Sequence, residues 1–459
     1  MSLFPLKSIE RRIGVLGSGS TGKTVLLTSL INHLIHHDPR YFHVGEERES
    51  AEIRKYNKLP AAPDWPEFDY EKHRDRLVHE RWPAKTTDRS QYCCQFERSD
   101  WKINRLLLKL HDLPGERIND LDCLKGDVDP YSAWSDRVLR RIENEERTTD
   151  LYRPYLALLA ADKHAQDELL LEYKRSLGRM RLNFKPLITP STYLLDLQGQ
   201  PIRGRDIELL ARSRYVGLGP DQEFVPLSSQ ARNQSPQLAA IFAQHFRDYT
   251  LRVVLPMVNA LKSCHSLAIM VDVQHYLACD TGTHDDNQEL LRELLHALNP
   301  QEGLLKKSLR YFSETLFPAP LQPTWISRIA FVAPKIDMVH PQDRDRLKFL
   351  MRQMVDKYAR DCTGITYDYF NVAAVNAADA IPNDPNRFLT GKTMYDGSGQ
   401  RIDPGSTVKF SVSAVPDDWP VHWRVGDFVF PTVYPKIPSR KNCAPDQIGL
   451  DAVFNFLCH

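Results

Sequence analysis

Eight consecutive residues, Gly17 to Thr24 (GSGSTGKT), fit the pattern G-x-x-x-x-G-K-[ST] without a gap. A loop of this composition turns backbone N–H groups toward phosphate oxygens, and the positive end of the following helix adds to the attraction. Lys23 is then the cation that reaches the outer phosphates, and Thr24 the hydroxyl ligand of Mg2+. The expected phosphate-binding residues are Gly17, Ser18, Gly19, Ser20, Thr21, Gly22, Lys23, Thr24 and Val25. A second group with chemical content is Asp112-Leu113-Pro114-Gly115, a D-x-x-G at the end of an apolar run. A carboxylate there holds the water shell of Mg2+, and Gly115, lacking a side chain, offers its N–H to a γ-phosphate.

These groups need particular elements to hold them. RRIGVL (11–16) is a short apolar run and VLLTSLINHLI (25–35) repeats apolar residues at helical spacing, which makes strand, loop and helix around the phosphate motif. QYCCQFE (91–97) and WKINRLLLKLH (101–111) flank a short polar turn and read as an antiparallel hairpin whose second strand runs into Asp112. Between the first helix and about Lys85 the chain is polar and punctuated by prolines: LPAAPDWPEF (59–68) is loop, and DYEKHRDRLVHE (69–80) a short charged helix.

From 116 to about 262 the character changes. IENEERTTDLYRPYLALLAADKHAQDELLLEYKRSLGRM (142–180) and QLAAIFAQHFRDYTLRVVLPMVNALKS (237–263) are rich in helix formers, with Pro256 kinking or breaking the second, while 184–207 and 216–227 read as loops and short strands. The α/β pattern then resumes with strands at SLAIMVDV (266–273), RIAFVAPKIDMV (328–339) and TYDYFNVAAV (366–375) and helices at 284–298 and 341–359. A small β excursion, STVKFSVSAV (406–415) with WRVGDFVFPTVYPKIP (423–438), precedes a closing helix at 446–458. The expected division is a nucleotide-binding domain of residues 1–120 and 263–459, interrupted by a mostly helical insertion at 121–262.

With 60 Lys+Arg against 59 Asp+Glu the net charge is +1, so no global field recruits nucleic acid or an anionic membrane. A hydrophobic fraction of 42% with 26% charged residues is ordinary for a soluble globular protein. Eight scattered cysteines form no C-x-x-C pair, which indicates reduced thiols in the cytoplasm. The start, MSLFPLKSIERR, is too short and polar for a signal peptide, and no run approaches the roughly 20 apolar residues of a membrane span.

Pro334-Lys335-Ile336-Asp337 resembles the [N/T]-K-x-D element of GTP-binding proteins. A carboxylate suits guanine because it accepts from N1–H and the 2-amino group together, a pair of donors that adenine lacks. Lys335 lays its aliphatic stem along the base, whereas Pro334 replaces Asn or Thr and cannot supply that side chain's hydrogen bond. Ala374 and Val375 lie where such proteins offer a backbone N–H to the guanine O6.

The order of these elements resembles a Ras-like or Gα-like G domain: an α/β P-loop domain with a mostly parallel sheet and one antiparallel edge strand. Lys85-Thr86-Thr87 is similar to the K-T-T of the first Gα switch, which implies that Thr86 or Thr87 closes on Mg2+. Over nearly its full length the chain resembles the YcjX-like family of bacterial P-loop proteins, through GSGSTGKT, HDLPGER (111–117), VAPKIDMV (332–339) and the helical block between them. That resemblance implies binding of GTP or GDP, a link to bacterial stress response, and a protein of the inner membrane as functional neighbour.

Hydrolysis in this class is positioning and charge stabilisation. Glu116 stands where Ras-like and Gα proteins carry the water-orienting glutamine, and like-charge repulsion makes it a poor substitute. Arg81 and Arg117 are candidates for an arginine finger in cis. The expectation is a slow Mg2+-dependent GTPase acting as a nucleotide switch. The alternatives are a nucleotide-dependent scaffold with negligible hydrolysis and an ATP-using P-loop enzyme in which Asp337 plays no part.

Overall fold

The computed structural model describes residues 7–19, 21–83, 89–101, 104–125, 128–144, 146–183, 206–212, 218–219, 221–298, 326–381, 387–395, 400–436 and 443–458. The described residues of Met1–Gly115, Leu261–Gln288 and Thr324–His459 form one compact unit, and those of Glu116–Ala260 and Glu289–Pro323 a second.

The first unit is built on a seven-stranded sheet of β1 (Lys7–Gly17), β2 (Ile53–Leu59), β3 (Ser90–Arg98), β4 (Asn104–Asp112), β5 (Ser266–Met270), β6 (Arg328–Ala333) and β7 (Thr366–Asn371) in the spatial order β2-β3-β4-β1-β5-β6-β7. From β4 to β7 every pairing is parallel, while β3 runs antiparallel to both of its neighbours. The fold is therefore the α/β P-loop class, mostly parallel with an antiparallel edge. β5 is buried along its whole length, as expected of a parallel strand covered on both faces.

The outermost strand, β2, lies inside the stretch that the sequence presents as polar and punctuated by prolines. Its sequence IRKYNKL puts the apolar residues Ile53, Tyr56 and Leu59 three apart, a spacing that matches neither strand nor a sustained helix. A break of register between Arg54 and Asn57, with Lys55 at φ 50°, accounts for the odd spacing. The charged residues Arg54, Lys55 and Lys58 are exposed along this edge, which discourages pairing with another chain.

One face of the sheet carries α1 (Lys23–Ile35) and, near the end of the chain, α13 (Leu450–Cys458). Leu27, Ile31 and Leu34 of α1 share a buried cluster with Ile13, Val15, Leu108 and Phe454. Polar ties fix α13 as well: Arg11 Nε donates to the Cys458 carbonyl at 3.0 Å and Ser266 Oγ to the Leu457 carbonyl at 2.8 Å. The unit also contains α2 (Tyr70–Val78), α10 (Val273–Ala278), the first part of α11 (Thr281–Leu298) and α12 (Arg344–Ala359).

The expected excursion supplies one strand, β10 (Val408–Ser411), to a three-stranded antiparallel sheet whose other members, β8 (Asp379–Ala380) and β9 (Phe388–Gly391), lie before it. Its second half differs from expectation, because among the described residues of 423–436 only Val433 enters a β-bridge, with Thr393. Trp82 packs against the buried cluster of Met338, Leu389 and Val433 beneath this sheet, and its Nε1 donates to the Val433 carbonyl at 2.7 Å.

The second unit is helical: α3 (Pro130–Asn144), α4 (Glu146–Leu159), α5 (Gln166–Asn183), α6 (Ile207–Ala211), α7 (Ser229–Gln234), α8 (Pro236–Tyr249) and most of α9 (Leu255–Ser263). Its core is aromatic, with Trp134 fully buried against Phe224 and Phe246 at ring separations of 5.4 and 5.3 Å. Pro256 does interrupt the long helical run. A π-helical turn, Thr250–Val254, precedes it, and the Leu255 N–H bonds the Thr250 carbonyl five residues back. Proline has no N–H to continue the α pattern, so the helix shifts register just before it. Most of the predicted loop at 184–207 lies outside the described residues, and the described part of 216–227 contains neither helix nor strand.

Candidate functional site

β1 ends in the phosphate motif at the C-terminal edge of the parallel strands, where open α/β sheets bind ligands. Gly17 (φ 155°) leaves no space for a side chain: a Cβ would lie 2.6 Å from Met270 Cβ and 2.8 Å from the Met270 carbonyl oxygen. Gly22 (φ 92°) is needed for the opposite reason, since nothing crowds it but its backbone is left-handed. Lys23 is buried and donates to the Gly17 and Ser18 carbonyls at 2.9 and 3.0 Å. Thr21 Oγ1 also donates to the Ser18 carbonyl, at 3.0 Å. Gly19 and Val25 are in the expected loop and helix, and Ser20 lies outside the described residues.

The D-x-x-G turn meets this loop directly. Thr24 Oγ1 donates to Asp112 Oδ2 at 3.5 Å, with both residues buried. A Cβ on Gly115 would stand 1.3 Å from the Gly17 carbonyl oxygen and 3.1 Å from Lys23 Nζ. Hydroxyl and carboxylate oxygen are the hard donors that Mg2+ takes, so the residues present fit that ion. Among the described residues no cluster of three or more His, Cys, Asp or Glu forms a metal site by itself. An ion at Thr24 and Asp112 would therefore complete its shell with phosphate oxygens and water.

The base-side residues come together at the ends of β6 and β7. Lys335 has a left-handed backbone (φ 60°), and Asp337 lies in the 3-10 turn Ile336–Met338 that follows. Asp337 is buried, and its Oδ2 accepts from Ala377 N at 2.9 Å. Burial pushes its carboxyl up to about 6, partly opposed by the N–H groups of Ala377, Asp337 and Ala378 and by the nearby Arg344. The loop that carries Ala374 and Val375 is tied to the same place. Ile336 N donates to the Val372 carbonyl at 3.2 Å, and Ser29 of α1 donates to the Ala374 carbonyl.

The remaining predicted residues are not gathered there. Arg81 is exposed, and among the described residues it shares no hydrogen bond or ion pair with the phosphate loop. Arg117 is buried in the helical unit, in the 3-10 segment Gly115–Leu124 that also contains the Glu116 backbone. Lys85, Thr86 and Thr87 lie outside the described residues.

Residues 11–459 match the model of the YcjX-like family, DUF463. The chain belongs to the YcjX-like family. It is also similar to the "Ras-like GTPase YcjX" of Escherichia coli (strain K12), with 22% identity over 471 residues, covering 97% of this chain and 94% of that protein. Membership is carried by the whole chain, helical unit included, and not by the phosphate motif alone.

Several polar contacts around this YcjX-like site have no signal in the local sequence. Asp272, Gln274 and Tyr276, on and before α10, reach the base and phosphate loops from a strand end that contains no motif. Lys335 Nζ bonds Asp272 Oδ2 at 2.6 Å across 63 positions of sequence. Pairing at that separation follows from sheet order and leaves no periodicity to read.

Proposed function

We propose that the chain binds GTP and GDP with Mg2+ and hydrolyses GTP slowly, as a nucleotide switch. The carrying observation is the convergence of Lys23, Thr24, Asp112 and Gly115 at the end of β1, with Gly115 packed on the Gly17 carbonyl. In this reading the N–H groups of Gly17 to Val25 hold the phosphates and Lys23 neutralises them, while the Gly115 N–H meets the terminal phosphate. Thr24 and Asp112 would hold Mg2+, joined by Thr86 or Thr87. Bound there, Mg2+ would stabilise the negative charge that develops on the phosphates.

On the base side, Lys335 covers the ring, Asp337 accepts from the guanine edge, and the loop at Ala374 and Val375 donates to O6. The name of the E. coli relative supports the choice of GTP over ATP. Glu116 in place of glutamine, with Arg117 or Arg81 left to stabilise charge, supports slow turnover. A cytoplasmic location, a role in bacterial stress response and a partner at the inner membrane rest on family resemblance. Among the described residues no helix is long and apolar enough to cross a membrane.

The exposed position of Arg81 favours a second reading, a scaffold whose partner affinity depends on the nucleotide and whose hydrolysis is negligible. Titration of the purified protein with labelled GTP, GDP and ATP, with and without Mg2+, tests the binding. Phosphate release from GTP that vanishes in Lys23→Ala and Thr24→Ala supports the enzyme. Release unchanged in those variants overturns it, and a preference for ATP overturns the guanine assignment.

A further inference from the structure

Pro334 leaves the base loop without the amide or hydroxyl that would anchor it, and this loop contains a strained residue. Lys335 is a non-glycine residue at φ 60°, a conformation that persists only where surrounding contacts impose it. Several of those contacts come from one short segment. Gln274 is 4% exposed, and its Nε2 donates to the Lys335 carbonyl at 2.8 Å and to the Pro334 carbonyl at 3.3 Å. Asp272 is 2% exposed and divides its carboxylate between two tasks. Oδ1 accepts from His275 N at 3.2 Å, capping α10, and Oδ2 holds Lys335 Nζ at 2.6 Å.

The same segment touches the phosphate loop. Two residues beyond Gln274, the buried Tyr276 side chain lies beside Ser18 of the phosphate loop. The other end of α10 is fixed too, because Trp423 Nε1 donates to the Tyr276 carbonyl at 3.2 Å. Asp272 and Gln274 thus bond the base loop from a segment whose Tyr276 packs beside the phosphate loop, and all three side chains are buried. An anchored segment of this kind can set the spacing between a base site and a phosphate site.

We infer that Asp272 and Gln274 are the positioning residues for base selection, doing from α10 what Pro334 cannot do from within the loop. They hold Lys335 in its left-handed conformation, which in turn sets where the Asp337 carboxylate faces the base. The inference rests on the guanine-nucleotide reading above and adds which residues give that reading its selectivity.

The test is a calorimetric titration with GDP and with inosine diphosphate, which has the same base without the 2-amino group, in the presence of Mg2+. Asp272→Asn keeps the helix cap and removes the charge that holds Lys335. Gln274→Met keeps the volume and removes both donated bonds. The wild type should prefer GDP, and each variant should lose about tenfold in that preference, by weakening GDP far more than inosine diphosphate. Equal weakening of both ligands, with a lowered melting temperature, would indicate general loosening and overturn the inference. Unchanged preference in both variants, beside a wild type that selects GDP, overturns it while leaving the functional reading intact. A wild type that binds no guanine nucleotide overturns both. If Gln274→Met does not fold, Asp272→Asn alone decides between these outcomes, since asparagine caps the same helix.

Discussion

The α-carbon of Gly115 faces the carbonyl oxygen of Gly17 so closely that a methyl group would be placed 1.3 Å from that oxygen. The obstacle is backbone, which cannot swing aside as a side chain would. Gly115→Ala must therefore push the D-x-x-G turn away from the phosphate loop. We expect a folded protein destabilised by roughly 1–3 kcal/mol, as for other overpacking changes. Nucleotide binding should fall further than that loss of stability explains, which denaturant unfolding and titration on the same sample will separate.

Thr24 and Asp112 should carry the Mg2+ dependence. Thr24→Val preserves shape and removes the hydroxyl, so the gain in nucleotide affinity on adding Mg2+ should largely disappear, with binding in EDTA close to wild type. A variant that still gains the full Mg2+ increment would show that the ion does not use this hydroxyl.

Asp337 predicts both base choice and a pH profile. Asparagine donates as well as accepts, and xanthine presents a carbonyl where guanine has its 2-amino group, so Asp337→Asn should exchange a preference for guanine for one for xanthine. Because burial raises this carboxyl to about 6, GDP affinity in the wild type should decline as pH falls through 6, where the acceptor gains a proton. The asparagine variant should show no such decline. Arg344, the nearby cation, has its own pKa lowered by burial and stays charged throughout this range.

Acid should weaken the fold through two histidines. Burial lowers His33 to about 4 and His111, with Arg12, Lys109 and Arg89 adding to the effect, to about 3. In the unfolded chain both titrate near 6.5, so below that pH the unfolded state binds more protons and stability is lost as pH falls toward 4. The slope is about 1.4 kcal/mol per pH unit for each histidine, while the raised carboxyl of Asp337 acts in the opposite sense below about 6. Denaturant midpoints at pH 7.5, 6 and 5 should fall in order, and His111→Gln should make the decline shallower.

Strands and helices that carry their own pattern were legible in the sequence. Buried parallel strands such as SLAIM announce themselves by continuous apolarity, and Gly17 to Thr24 by a loop that tolerates few alternatives. β2 was not legible, because its irregular register gives Ile53, Tyr56 and Leu59 a spacing that belongs to no regular element. On the candidate site the local motifs marked Lys23, Thr24, Asp112 and Asp337. They did not reveal that Ala377 would bond Asp337 or that Asp272 would hold Lys335, because those contacts depend on which strands become neighbours. Pro256 was legible as an interruption, but the π turn ahead of it reflects a register choice made by the whole helix.

The carbonyls of Leu457 and Cys458 are held by Ser266 and Arg11, and Phe454 shares a core with Ile13. The first strand of the nucleotide unit thus acquires its cover more than 440 positions after it is made, counting from Arg11 to Cys458. During synthesis the helical unit, whose described buried residues run from Ile118 to Leu298, emerges while β1 still waits for α13. A chain stopped before residue 450 therefore lacks the helix that covers β1 beside the phosphate loop.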